Sequence, residues 1–261
     1  MTDSPIDEPH RYFFLRMPKT ASTALCQRLA NHFGEAAIYP VNGLDGTEPL
    51  KLVLSIGHLR ERLAARGDEI RVIAGHFPLC TTELIGGRFT TLTLLREPVE
   101  RMLSQLRYTR KVVRAARHMP LEELYDHPPQ IDAVMRNQMT KMLSLSSTEV
   151  ADAAMLTRVE VDRDRLERAK EALVGIDVIG LQDEFEDLCA ELSARFGWRL
   201  GDPETVNTTA PVEVPESFRA RIAEDNAFDV ELYEFAAKLL HDGGRPRPGE
   251  VPLASADREE P

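Results

Sequence analysis

The sequence is poor in cysteine, short of positive charge and without any long apolar run. Its three cysteines, Cys26, Cys80 and Cys189, are odd in number and far apart. That excludes a dense disulfide framework, matches no metal-ligand spacing and fits a reducing compartment. Lysine and arginine number 32 against 43 aspartates and glutamates, a net charge of −11. A generic nucleic-acid binder, which would present a basic surface, is thereby disfavoured. No segment approaches the roughly 18 apolar residues of a membrane span. Residues 1–10 are acidic and polar, unlike a signal peptide. These features predict a soluble, cytoplasmic protein with no stable membrane insertion. The triphosphate-binding loop G-x-x-x-x-G-K-[ST] is missing as well. An anionic ligand would therefore need a local basic site of another kind.

What is present is ordinary globular composition, 43% hydrophobic and 29% charged. The apolar pattern predicts a strand over 11–16, a helix over 23–33 and a loop-rich stretch over 38–49. A helix over 56–66 and a short strand over 70–74 follow, and the strand runs into a Gly75-His76-Phe77-Pro78 turn. The clearest buried strand is 89–95. Pro98 fits the first turn of a helix reaching about residue 118. Further helices are expected over 131–145, 161–174, 184–196, 216–224 and 228–241, with one more strand over 177–181. Residues 242–261 are rich in glycine, proline and charge and read as a disordered tail. Residues 1–10 read as a flexible N-terminus, leaving one domain over 11–241. Alternating strands and helices imply an α/β architecture, a central, mostly parallel sheet flanked by helices in three layers.

Ligands in such folds bind beyond the carboxyl ends of the strands. Three loops in that position carry unusual residues. Pro18-Lys19-Thr20-Ala21-Ser22-Thr23 joins a strand to a helix, so backbone N–H groups and the helix dipole converge on one spot. Lys19 adds a full charge, and Thr20, Ser22 and Thr23 add hydroxyl donors; a surface lysine beside a helix cap at Ser22 or Thr23 is the plainer alternative. In the second loop Arg96 leaves a buried strand and Ser104 lies two helical turns on, a guanidinium fork and a hydroxyl suited to phosphate. Surface pairs Arg96–Glu100 or Glu97–Arg101 are the alternative there. The third loop holds His76, whose intrinsic pKa suits a general base near neutrality. His58, on a predicted helix, reads as exposed.

Taken together, these segments resemble a known family. Phe13-Phe14-Leu15-Arg16-Met17-Pro18-Lys19-Thr20-Ala21-Ser22-Thr23 resembles the 5′-phosphosulfate motif of the carbohydrate-type, heparan-sulfate-like sulfotransferases, an apolar strand followed by H-I-P-K-T-x-x-T-S. The run from Thr93 to Ser104 is similar to that family's 3′-phosphate motif, R-D/E-P-x-x-R-x-x-S. Arg136-Asn137-Gln138-Met139-Thr140-Lys141-Met142-Leu143 is similar to its N-x-x-T-R-x-L segment. The resemblance implies a P-loop-like fold related to nucleotide kinases. It also implies 3′-phosphoadenosine 5′-phosphosulfate as co-substrate, a hydroxyl-bearing acceptor such as a carbohydrate, a lipid or a small molecule, and no required metal. Carried over motif by motif, Lys19, Thr20, Ala21, Ser22, Thr23 and Ala24 would hold the 5′-phosphosulfate, and Arg96 and Ser104 the 3′-phosphate. Asn137, Gln138 and Lys141, on one turn of a predicted helix, would lie near the nucleotide or the acceptor; helix capping or surface exposure is the plainer alternative.

Three departures stand out. Arg16 replaces the usual histidine, Ala24 replaces a serine donor, and Ala21-Ser22 stands where many relatives carry glycine, the residue that most easily adopts positive φ. Lys19 is the expected stabiliser of the leaving oxygen and His76 the expected base, with Glu97 as its substitute. The basic stripe Arg107, Arg110, Lys111, Arg114 and Arg117 is either a solvated face or a patch for an anionic acceptor. A P-loop-like nucleotide or small-molecule kinase and an inactive nucleotide-binding scaffold are the competing readings.

Overall fold

The computed structural model describes residues 10–40, 54–126, 136–152, 154–201 and 213–242. The expected flexible N-terminus and disordered tail fall almost wholly outside these residues. Five parallel strands form one sheet: β1 (Arg11–Leu15), β2 (Ile38–Tyr39), β3 (Val72–Ile73), β4 (Phe89–Leu95) and β5 (Val178–Leu181). Their order is β2-β3-β1-β4-β5, so β1 lies between two strands that follow it far along the chain. Phe13 is level with Ile73 on one side and with Thr91 on the other. The strand order reverses at β1, and the loops leaving β3, β1 and β4 are adjacent at one sheet edge. An open parallel sheet places its ligand crevice at such a switch point.

Helices cover both faces, as expected of an all-parallel sheet. The alternation along β1 decides which side chain goes where. Phe13 and Leu15 face one core, with Ile73, Leu95 and Ile179. Against it lie α2 (Ile56–Arg66), α6 (Gln138–Ser144), α7 (Arg163–Val174) and α10 (Ala227–His241). Phe14 faces the other core with Val72, Leu92, Leu94 and Val178. That face is covered by α1 (Ser22–Phe33), α8 (Phe185–Phe196) and Trp198. A third apolar cluster joins α4 (Pro98–Val112), α5 (Leu121–Asp126) and α9 (Glu216–Asp225) through Met102, Leu106, Leu124, Phe218 and Ile222. The short helix α3 (Thr81–Ile85) follows the β3 loop. No helix among the described residues is long and apolar enough to cross a membrane.

Several expected boundaries shift. β2 sits inside the stretch expected to be loop, because two buried residues suffice for an edge strand when Ile38 pairs with Val72. Helix α4 ends at Val112 and not near residue 118; the chain turns at Val113 and resumes as a single 3₁₀ turn, Arg114–Ala116. The helix expected over 131–145 is described only as α6, and residues 131–135 lie outside the described set. The three cysteines are free thiols, Cys80 and Cys189 buried and Cys26 partly so.

One polar cluster ties these layers together. Arg101, on α4, is fully buried and lies 3.7 Å from the equally buried Asp229 of α10. Asp229 also accepts hydrogen bonds from the Met139 and Thr140 amides and the Thr140 hydroxyl, at 3.1, 2.8 and 2.9 Å. It therefore caps α6 and neutralises α4 at once. Desolvation pushes the Asp229 carboxyl up and the Arg101 guanidinium down, and each partner's charge opposes the shift in the other. Removing one member strands the other charge away from water. Asp229→Ala is expected to cost about 3–5 kcal/mol in chemical denaturation, whereas Arg101→Met with Asp229→Leu recovers much of that loss.

Candidate functional site

The β1 loop owes its shape to two residues with positive φ, Lys19 at 67° and Ala21 at 61°. They flank Thr20, so the backbone reverses twice within three residues. Side chains from all three loops fix its carbonyl groups. The Thr93 hydroxyl donates to Leu15 O at 3.1 Å, and His76 Nδ1 donates to Arg16 O at 2.9 Å. The Thr20 and Ser22 hydroxyls donate to Met17 O at 3.0 and 3.1 Å. Arg96 donates to Lys19 O at 3.2 Å.

With the carbonyls held, the amides are left over. Among the described residues, the N–H groups of Lys19, Thr20, Ala21, Ser22 and Thr23 donate no hydrogen bond. Helix α1 starts at Ser22 with no side-chain cap, its Ncap position being Ala21. The cap expected as an alternative at Ser22 or Thr23 is therefore absent. Successive amides in such a turn, at the positive end of a helix dipole, form a concave site for an anion.

The predicted residues fall around this site in different ways. Lys19 is half-buried, with Nζ 4.1 Å from the centre of the Tyr108 ring on α4. Burial, then the charges of Arg96 and Lys111, lower its pKa. Arg96 is also half-buried, and its Nε has no hydrogen-bond partner. Burial lowers its pKa, although guanidinium stays charged at any neutral pH. Ser104 lies two turns along α4 and is partly buried. Ala24 is in the first turn of α1.

Thr20 and Ser22 do not present their hydroxyl protons outward. Both are buried and turned onto Met17 O, so their contribution toward an anion is the backbone amide. Arg16 braces the first turn of α1: Nε donates to Ser22 Oγ at 3.2 Å and a terminal nitrogen to Thr23 Oγ1 at 2.9 Å.

The neighbouring loop brings His76 against the same backbone. A Cβ at Gly75 would lie 2.1 Å from the Phe77 ring, so only glycine lets Phe77 fold back into the core and turn His76 toward β1. A carbonyl oxygen only accepts, so Nδ1 carries the proton and Nε2 keeps its lone pair. Burial first, then the Arg16 charge, lowers the imidazole pKa to about 4, and the bond to Arg16 O opposes this. The ring is neutral at pH 7. Glu97 is engaged differently from its expected role as a substitute base: its carboxylate caps α4, accepting from the Val99 and Glu100 amides at 3.0 and 2.8 Å.

The other expected positions lie on other elements, and of these the Lys111 charge reaches Lys19. Asn137 bonds to Asn226, Asp225 and Asp229, a corner where α6, α9 and α10 meet. Lys141 is buried and donates to Met155 O and Thr157 O at 2.9 and 3.3 Å; burial brings its pKa to about 8. Gln138 is fully buried with its amide unpartnered. Arg110 and Lys111 end α4, and Arg114 lies beyond it in the 3₁₀ turn. His58 is not exposed as expected. Its side chain is 10% accessible, 3.5 Å from Glu61. Two contributors escaped the sequence reading. Tyr108 had only its position one turn beyond Ser104 to signal it, and Thr93 was hidden within an apolar strand.

No protein-family model matches the chain, and no curated protein matches it. The geometry therefore stands by itself. Ala21 holds a left-handed conformation that costs a residue with a side chain on the order of 1–2 kcal/mol. Ala21→Gly is expected to gain about 1 kcal/mol and raise the melting temperature by roughly 2–4 °C, read by thermal denaturation.

Proposed function

We propose that this protein is a sulfotransferase that moves the sulfuryl group of 3′-phosphoadenosine 5′-phosphosulfate to an acceptor hydroxyl. The observation that carries the reading is the row of five unengaged amides, Lys19 to Thr23, beside Lys19 and Arg96. It is a site for one anionic group, with a second cation, Arg96, on the next loop for another. The motif resemblance supplies the order of the two: phosphosulfate on the β1 loop, 3′-phosphate between Arg96 and Ser104.

In this reading the acceptor oxygen attacks sulfur in line. A new S–O bond forms as the bond from sulfur to the bridging oxygen breaks, and 3′,5′-ADP leaves. Charge builds on that bridging oxygen. Lys19 leaves the Tyr108 ring to neutralise it, while the preorganised amides hold the non-bridging oxygens. The acceptor proton passes to His76 Nε2. An imidazole with a pKa of about 4 is a weak base. Nearby bound anions favour its protonated form and move it toward the range where proton transfer is efficient. We place the reaction in the cytoplasm, where free thiols stay reduced.

Thermal shift with 3′,5′-ADP against ATP–Mg²⁺ tests the donor. At a hundred times its Kd, 3′,5′-ADP is expected to stabilise by about 2.7 kcal/mol, and ATP–Mg²⁺ by much less. A preference for ATP would point to a kinase. Binding without transfer to any hydroxyl acceptor would point to an inactive scaffold. In a transfer assay, Lys19→Ala is expected to lower kcat by about 10²–10³ while 3′,5′-ADP still binds. Near-normal turnover would reduce Lys19 to a structural residue.

A further inference from the structure

The end of α4 is dense in cations. Between Glu100 and Glu122 the sequence has no acidic residue but carries Arg107, Arg110, Lys111, Arg114 and Arg117, in a protein of net charge −11. Among the described residues, Arg110, Lys111, Arg114 and Arg117 form no ion pair. Some cations elsewhere are engaged by carboxylates, as Arg163 and Lys170 are by Glu231, and others stand singly; here four unpaired cations fall within eight residues. Cations left unpaired in an acidic protein await an anionic partner.

The same segment exposes apolar side chains. Tyr108, Val112 and Val113 are 47, 55 and 44% accessible, three of the five large hydrophobic side chains exposed among the described residues. Tyr108 and Val112 are one helical turn apart and so share a face. The chain then breaks from the helix at Val113, whose backbone is extended, and this places an apolar side chain at the tip of the element. The cluster adjoins the candidate site. Tyr108 lies under Lys19, and the Lys111 charge is close enough to act on that lysine.

An apolar tip ringed by cations matches the two-part chemistry of an anionic bilayer. The cations face phosphate headgroups and the apolar groups enter the acyl boundary. A soluble polyanion would satisfy the cations but leave the valines in water. We infer that residues 107–117 dock this protein on an anionic lipid surface, so that its acceptor is a lipid headgroup hydroxyl presented to Lys19. The choice of acceptor rests on the sulfotransferase reading, whereas the docking surface does not.

Cosedimentation with vesicles tests it. The full chain is expected to sediment with vesicles of phosphatidylglycerol and phosphatidylcholine, not with phosphatidylcholine alone, and to be released by salt. Val112→Asp with Val113→Asp is expected to abolish binding. Arg110→Glu, Lys111→Glu and Arg114→Glu together should weaken it at least a hundredfold, given about fivefold per cation. All these sites are exposed or partly exposed, and the melting temperature of each variant checks its fold. Absence of vesicle binding at low salt overturns the proposal. So does undiminished binding by the valine variant, or a preference for dextran sulfate that the valine variant retains. The thermal shift with 3′,5′-ADP is read on the same variants. Vesicle binding without nucleotide binding would leave the surface standing and remove the sulfotransferase reading. Nucleotide binding without vesicle binding would do the reverse.

Discussion

The site depends on how the carbonyl groups of the β1 loop are held. Leu15, Arg16, Met17 and Lys19 each have a carbonyl oxygen bound by a side chain, from Thr93, His76, Thr20 with Ser22, and Arg96. A peptide group is rigid, so fixing the Lys19 oxygen fixes the direction of the Thr20 amide, while the bonds to Leu15, Arg16 and Met17 fix the path by which the chain enters the loop. The row of free amides thus begins where a hydrogen-bonded stretch of backbone ends. Two of the donors, His76 and Arg96, are also the groups expected to meet the substrate. In the proposed reaction these side chains would serve both structure and chemistry, and neither ring nor guanidinium can move far without loosening the loop.

The sequence made much of this readable, for identifiable reasons. The buried strands around Phe13 and Leu92 announce themselves through apolar runs, and Pro98 marks the start of α4. The unusual loops at the ends of β1, β3 and β4 were legible as a set, because a parallel sheet brings those ends together. β2 was not legible: Ile38 and Tyr39 form an edge strand only because β3 lies beside them. The end of α4 was missed because nothing in Val112-Val113-Arg114 breaks helical periodicity; the extended backbone at Val113 does so.

Residue roles were harder to read than residue positions. Thr20 and Ser22 carry hydroxyl groups at the right place, yet the buried Met17 carbonyl needs donors and takes them. Asn137 and Lys141 sit in a motif-like segment but brace helices and loops. Glu97 reads as a substitute base in sequence and acts as a helix cap in space. In each case a local backbone demand, invisible in a string of letters, claims the polar group. Alanine at residue 21 was legible as an unusual choice for a tight loop, and the positive φ there gives it a physical meaning.

The central place of β1 has a consequence for the order of assembly. Its partners Val72 and Phe89 are made well after it, and the Arg101 that follows β4 waits for Asp229, more than a hundred residues on. Contacts so distant in sequence slow folding, because long loops must close before any contact is gained. During synthesis the β1 loop is therefore made well before the strands and the Asp229 contact that complete the layers around it.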